Sequence, residues 1–180
     1  PESKDIQELM KMMLDDGVTH VVMEVSSHAL ELNRVDDIEF DSAVFTNLTQ
    51  DHLDFHRTFD AYFAAKRRLF DLLEKSGKQN RAAIINTDDE YGRRIYESHN
   101  GYSFMMISYG ESEGAELLAA PESIDNRITG ISYRLVHGPD RRDVKLKLAG
   151  RFQVYNSLAA LGSALYSGID IDDVIKGMSK

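Results

Sequence analysis

The chain has no cysteine, which excludes disulfides and thiolate metal sites and fits the cytoplasm. No apolar run is long enough to cross a bilayer, and no basic-then-apolar segment opens the chain, so neither membrane insertion nor a secretory signal is expected. Basic residues are outnumbered, 21 against 30 acidic, for a formal net charge of −9. That balance argues against a broad nucleic-acid surface. It leaves room for an anionic small ligand, because a few local cations and a metal reverse the field inside one cleft. There is no internal repeat and no low-complexity segment. What is present, 180 residues with 42% hydrophobic and 28% charged content, is enough for one domain with a real core.

Side chains that could do chemistry crowd into residues 21–70. Residues 3–16 read as an amphipathic helix, with Ser3 as N-cap and Ile6, Leu9, Met10, Met13 and Leu14 on one face. Gly17 stops it. Residues 19–25 form a β-branched run, the pattern of a strand buried on both faces of a parallel sheet. Glu24 interrupts that run near its carboxyl end, where open α/β sheets place their ligands. Ser26 and Ser27 then leave the strand, either to cap a short helix, the more frequent use, or to hold a ligand. His28 by itself reads as a structural histidine, and Arg34 as a solvated arginine or an anion contact. A second buried strand, residues 42–45, runs into Thr46-Asn47-Leu48. After it, Asp51-His52-Leu53-Asp54-Phe55-His56 alternates so that His52, Asp54 and His56 would share one side if extended. That set suits magnesium or manganese, or else a polar loop capping the next helix.

The next helix starts at Phe59 with Thr58 as N-cap. Phe59, Phe63, Phe70 and Leu73 follow one helical face, and the position between Phe63 and Phe70 is Lys66. Two fates are open to this lysine. It can snorkel to water, the common one, or sit in a cleft where desolvation favours the neutral amine. A third strand, residues 82–85, ends in Asn86-Thr87-Asp88-Asp89, either ligand-edge polar groups or turn chemistry. A helix over residues 89–97 leads to a strand at 104–109. Residues 117–118, 128–136 and 144–148 then read as antiparallel strands, with a hairpin loop at 137–140. Arg127, Arg134, Arg141 and Arg142 belong to a solvated face. After Gly150, residues 154–166 form an alanine-rich helix with a small-residue face, and residues 170–178 a last helix. Asn156 is either a capping group or a ligand amide. The fold expected is α/β, a mostly parallel central sheet flanked by helices with a small antiparallel portion.

These motifs resemble the Mur ligases, the ATP-dependent amide-forming enzymes of peptidoglycan precursor synthesis. The matching residues are Glu24-Val25-Ser26-Ser27-His28-Ala29-Leu30 with Arg34, then Thr46-Asn47-Leu48, the 51–56 block, and Tyr62-Phe63-Ala64-Ala65-Lys66. Asn86-x-Asp88-Asp89 and Gly150-Arg151-Phe152 with Asn156 and Ala159-Ala160 match further on. The resemblance implies the P-loop-NTPase-like middle domain of that family. It would run over residues 1–180, with an α/β core at 1–110, the antiparallel portion at 111–149 and the C-terminal helices at 150–180. It points to the branch that joins L-lysine or meso-diaminopimelate to UDP-MurNAc-L-Ala-D-Glu through an acyl phosphate. By the same resemblance, Glu24, His52 and a carbamylated Lys66 hold magnesium and are catalytic. Ser26 and Arg34 contact the UDP substrate, and Asn47, Asn86, Asp88 and Asn156 face ATP. The family's P-loop is absent, Gln153 stands where the family commonly has asparagine, and Pro1 and Lys180 read as cut ends. A fragment inactive alone is therefore expected, from a cytoplasmic, monomeric parent enzyme. The rival is a two-metal hydrolase using His52, Asp54 and His56 with a carbamylated lysine.

Overall fold

In the computed structural model, which describes residues 1–49 and 53–180, the chain divides into two compact units. One comprises Pro1–Asp41 with Gln50–Gln79, the other Ser42–Thr49 with Asn80–Lys180.

The first unit is helical. Helix α1 (Ser3–Asp15) begins one residue earlier than a Ser3 cap would place it. The Asp5 carboxylate accepts the Glu2 N–H at 2.9 Å and closes its first turn. Helices α2 (Ser27–Glu31), α3 (Leu53–His56) and α4 (Phe59–Lys75) complete this unit. One buried cluster in it joins Ile6, Leu30, Val35, Ile38 and Leu72, with Met10 and Leu69 packed against them. Of α1 only Ile6 is buried, and Leu9 and Leu14 of the expected apolar face are exposed.

The strand expected at residues 19–25 does not form. Among the described residues, the segment between α1 and α2 has no ladder partner, and Val22 is 99% exposed. A β-branched run becomes a buried strand only where neighbours take up its N–H and C=O groups. No described strand does so for this run.

The second unit is a seven-stranded mixed sheet. Strands β1 (Ser42–Phe45), β2 (Ala82–Asn86), β3 (Met105–Gly110) and β4 (Leu117–Ala119) run parallel in that order. Strands β5 (Asp125–Arg127), β6 (Gly130–His137) and β7 (Asp140–Leu146) extend it antiparallel. β7 pairs along β6 from Ile131↔Leu146 to His137↔Asp140 across the expected hairpin loop. β4 and β5 share the other edge of β6, through Leu118↔Val136 and Asn126↔Ile131. The antiparallel strands therefore continue the main sheet. The hairpin from β5 into β6 was not legible in the sequence, because its three strand residues, Asp125, Asn126 and Arg127, are all polar and exposed.

All five residues of β2 are buried. Helix α5 (Glu90–Glu97) packs on β2, and α6 (Phe152–Tyr166) lies along β2, β3 and β4, with α7 (Ile171–Met178) against it. The core joins Ile84, Tyr109, Leu117, Tyr133 and Leu158 across these layers. Glycine sets two close approaches. A Cβ at Gly162 would lie 2.7 Å from the Ile84 side chain, and one at Gly92 only 2.0 Å from the Asn86 carbonyl oxygen.

A side chain can yield where a backbone carbonyl cannot. Gly92→Ala is therefore expected to destabilise the protein by about 2 kcal/mol. Gly177→Ala, in α7 with open space around it, should stabilise it by roughly 0.5–1 kcal/mol. Denaturant midpoints of the two variants, moving in opposite directions, check this.

Candidate functional site

The candidate residues divide into two groups, one in each unit. In the first, Glu24 lies in the irregular segment before α2 and is exposed. Its carboxylate makes no hydrogen bond or ion pair among the described residues. Ser26 is the N-cap of α2, and its Oγ accepts the Ala29 N–H at 3.2 Å. Ser27 is buried, and its hydroxyl lies 2.9 Å from His56 Nε2. A buried hydroxyl left without a partner costs roughly 1–3 kcal/mol, so this bond holds the turn rather than decorating it. α2 ends with Asn33 in the left-handed region (φ 56°), while the Arg34 N–H donates to Ala29 O at 2.9 Å. The Arg34 guanidinium forks onto the Glu2 carboxylate at 2.7 and 3.2 Å.

His52 and Asp51 lie outside the described residues. Residues 53–56 form α3 instead of the expected extended run. A helical turn wins here because Arg57, in the left-handed region (φ 63°), ends α3 and leads directly into the Thr58 cap of α4. His56 is buried and stacks on Tyr62 with centroids 5.0 Å apart and planes 13° off parallel. The His28 ring sits 4.1 Å from Phe55. Lys66 is half-buried on α4, between buried Phe63 and Phe70, with Nζ 5.3 Å from the Tyr62 ring centroid. Among the described residues, no group of three or more histidine, aspartate and glutamate side chains converges on a metal-sized space.

The second cluster sits at the carboxyl ends of β1, β2 and β3. Buried Asn86 donates from Nδ2 to Thr46 O at 2.7 Å, and its Oδ1 accepts the Asp88 N–H at 3.0 Å. Asp89 caps α5 by accepting from Tyr91 N and Gly92 N, and it also accepts the Leu48 N–H at 3.1 Å. Asp88 accepts from Glu111 N at 2.6 Å, Ser112 N at 3.2 Å and the Tyr155 hydroxyl at 3.0 Å. Burial alone would raise its pKa. Hydrogen bonds from the Ser112 side chain, Glu111, Tyr155 and the Ser112 backbone outweigh that and hold the carboxyl below the usual carboxylate range. Burial, followed by the negative Asp88, pushes the Tyr155 hydroxyl upward, so it stays a proton donor. Gly110 admits the Asp88 carboxylate, since a Cβ there would meet it at 2.8 Å.

Asn47 is exposed just beyond β1, and exposed Asn156 donates from Nδ2 to Gln153 Oε1 at 3.2 Å. Glu111, Arg151 and Tyr155 were missed as members of this cluster. The Arg151 guanidinium grips the buried Glu111 carboxylate through its Nε at 3.2 Å and through Nη2. Glu111 follows β3 directly, so the sheet-edge rule that singled out Asn86 would have found it. Tyr155 carried no signal, being one more bulky residue in an apolar helix.

The family model of the Mur ligase middle domain matches residues 1–164. The chain belongs to the Mur ligases. This Mur ligase chain is 41% identical over 179 residues to the UDP-N-acetylmuramoyl-L-alanyl-D-glutamate--2,6-diaminopimelate ligase of Caldanaerobacter subterraneus, covering 99% of itself and 35% of that protein. To the enzyme of the same name from Syntrophomonas wolfei it is 44% identical over 170 residues, 94% of the chain and 33% of the relative. It thus spans about a third of the length of the curated relatives it matches. A solved structure of a ligase of that name superimposes with a TM-score of 0.88 at 28% identity, over 99% of this chain and 36% of that one. A MurF from Acinetobacter baumannii shares the fold, with a TM-score of 0.69 at 22% identity over 82% of this chain and 30% of its own.

The depressed pKa of Asp88 has a defined consequence for stability. Its contribution is present above the unfolded-state value, near pH 4, and is lost as pH falls through the lower folded-state value. Asp88→Asn should therefore be less stable at neutral pH and lose less stability on acidification below about pH 4 than the parent. Parallel acid-unfolding curves that differ only by an offset would contradict this.

Proposed function

We propose that this chain is the central domain of an ATP-dependent ligase that adds the third amino acid to UDP-MurNAc-L-Ala-D-Glu in peptidoglycan precursor synthesis. The observation that carries the reading is identity above 40% along nearly the whole chain to ligases named for joining 2,6-diaminopimelate to that substrate. Diaminopimelate is accordingly the incoming amino acid, with L-lysine as the competitor to test against. The enzyme acts in the cytoplasm as a monomer.

Phosphoryl transfer from ATP to the D-glutamate γ-carboxylate brings two anions together. Two unit charges at ~4 Å repel by ~4 kcal/mol at an effective dielectric near 20. Bound magnesium would neutralise part of this charge and align the oxygens. The donor set suits a hard cation. Glu24 has its carboxylate uncommitted among the described residues, whereas Asp88 and Asp89 are taken up by backbone and tyrosine donors. Glu24 with His52 would hold the metal. Lys66, half-buried on an otherwise apolar stripe, would capture carbon dioxide as a carbamate and so present a carboxylate in place of a cation. Ser26 and Arg34 serve the UDP-substrate side. Arg34 exchanges its Glu2 partner for a substrate anion, a cheap exchange because the pair is exposed. Asn47, Asn86, Asp88 and Asn156 belong to the nucleotide side, where Asn86 and Asp88 act by holding the turns that ATP would meet.

The two-metal hydrolase finds no support. The relatives carry ligase names, and the expected extended alternation of Asp54 and His56 is a helical turn.

Phosphate release by the full-length enzyme with Mg-ATP and UDP-MurNAc-L-Ala-D-Glu should depend on diaminopimelate and respond weakly to lysine. Release with lysine alone would reverse the choice of amino acid. Lys66→Ala in the same enzyme should lower kcat on the order of 10³-fold while leaving ATP affinity nearly unchanged. Near-normal turnover would remove the carbamate from the mechanism.

A further inference from the structure

We propose that His56 is a positioning residue of this ligase, tying the substrate-side turn at Ser26 and Ser27 to Lys66; the proposal rests on the ligase reading above. The imidazole is buried, and its contacts are of different kinds. In its plane, Nε2 lies 2.9 Å from Ser27 Oγ. On its face, it stacks on Tyr62 at 5.0 Å. The hydrogen bond fixes the direction of the ring edge, and the stack fixes the tilt of the ring plane. Phe55 meets the ring edge-on at 4.8 Å and 85°. Together these contacts constrain the orientation of the ring.

Each contact leads to a residue of the proposed chemistry. Ser27 is the first residue of α2, next to Ser26, whose hydroxyl caps that helix. Tyr62 carries Lys66 one helical turn further along α4, with Nζ 5.3 Å from its ring. The backbone presents His56 for this role. Arg57 takes the left-handed conformation, and the Thr58 N–H donates back to His56 O at 2.7 Å, so the chain doubles back before entering α4. His56 thus sets where the capped turn before Ser27 stands relative to the amine of Lys66, through Ser27 on one side and Tyr62 on the other. It need not touch a reacting atom to do so.

The test uses the full-length ligase and three variants. His56→Phe keeps an aromatic ring for Tyr62 and loses the hydrogen bond. His56→Gln keeps an amide near the Nε2 position and loses the stack. Ser27→Ala removes the partner hydroxyl alone. His56→Phe and Ser27→Ala are each expected to raise KM for UDP-MurNAc-L-Ala-D-Glu about tenfold while KM for ATP stays within about twofold. The double variant should be no worse than His56→Phe, because both changes break one bond. His56→Gln should return KM for the UDP substrate towards normal while lowering kcat. Equal changes in both KM values, additive effects, or unmoved constants in an active enzyme would overturn the proposal and leave His56 a structural histidine. If His56→Phe fails to fold, Ser27→Ala with its single-oxygen deletion decides by the same split. No amino-acid-dependent phosphate release by the unaltered enzyme would overturn the ligase reading itself, and that result is read before any variant is compared.

Discussion

The hydrogen bonds that radiate from residues 86–89 hold the second unit in register. β2 is buried along its whole length, so its backbone must be paired and its polar end must be satisfied at the point where the strand stops. Asn86 reaches across to Thr46, beyond β1. Asp88 gathers the loop after β3 together with Tyr155 of α6, and Asp89 caps α5 while binding the backbone at Leu48. Three adjacent strand ends and two helices are joined through one tight turn. Gly92 and Gly110 are part of the same constraint, since a side chain at either would push the Asn86 carbonyl or the Asp88 carboxylate away.

This arrangement bears on what each acidic group is available to do. A carboxylate that already accepts three or four hydrogen bonds is a poor ligand, because binding a metal would strip donors that the fold has placed around it. Asp88 and Asp89 are in that position. Glu24 is not: it is solvated and without a partner among the described residues. The division separates an acidic turn taken up by the fold from a carboxylate left open to solvent.

In the first unit the corresponding organiser is an aromatic stack instead of an anion. Ser27, His56 and Tyr62 are all buried, with His56 in contact with each of the other two, and Lys66 lies over the Tyr62 ring. Polar atoms placed among aromatic faces have few alternative arrangements, so the stack specifies geometry more than it adds stability. Arg34 and Glu2, by contrast, form an exposed pair of the kind that contributes little to folding and exchanges readily.

Much of this was determined by the sequence alone. Helix and strand periodicity gave α4, α5, α6 and β1 to β3 close to their observed bounds, because burial on one face leaves a repeating apolar signature that needs no knowledge of partners. The ordered motifs from Glu24 to Lys66 pointed to the family, since such residue types at such spacings serve chemistry rather than packing. Tertiary structure decided the rest. Residues 19–25 have the composition of a buried strand and are not one, for a strand exists only through the ladder that its neighbours offer. Residues 125–127 have no such composition and are one, because β6 supplies the ladder. That His56 rather than His28 is the buried histidine holding Ser27 depended on side chains meeting across 29 positions of chain. Periodicity records what a segment buries, and only the folded chain records what it meets.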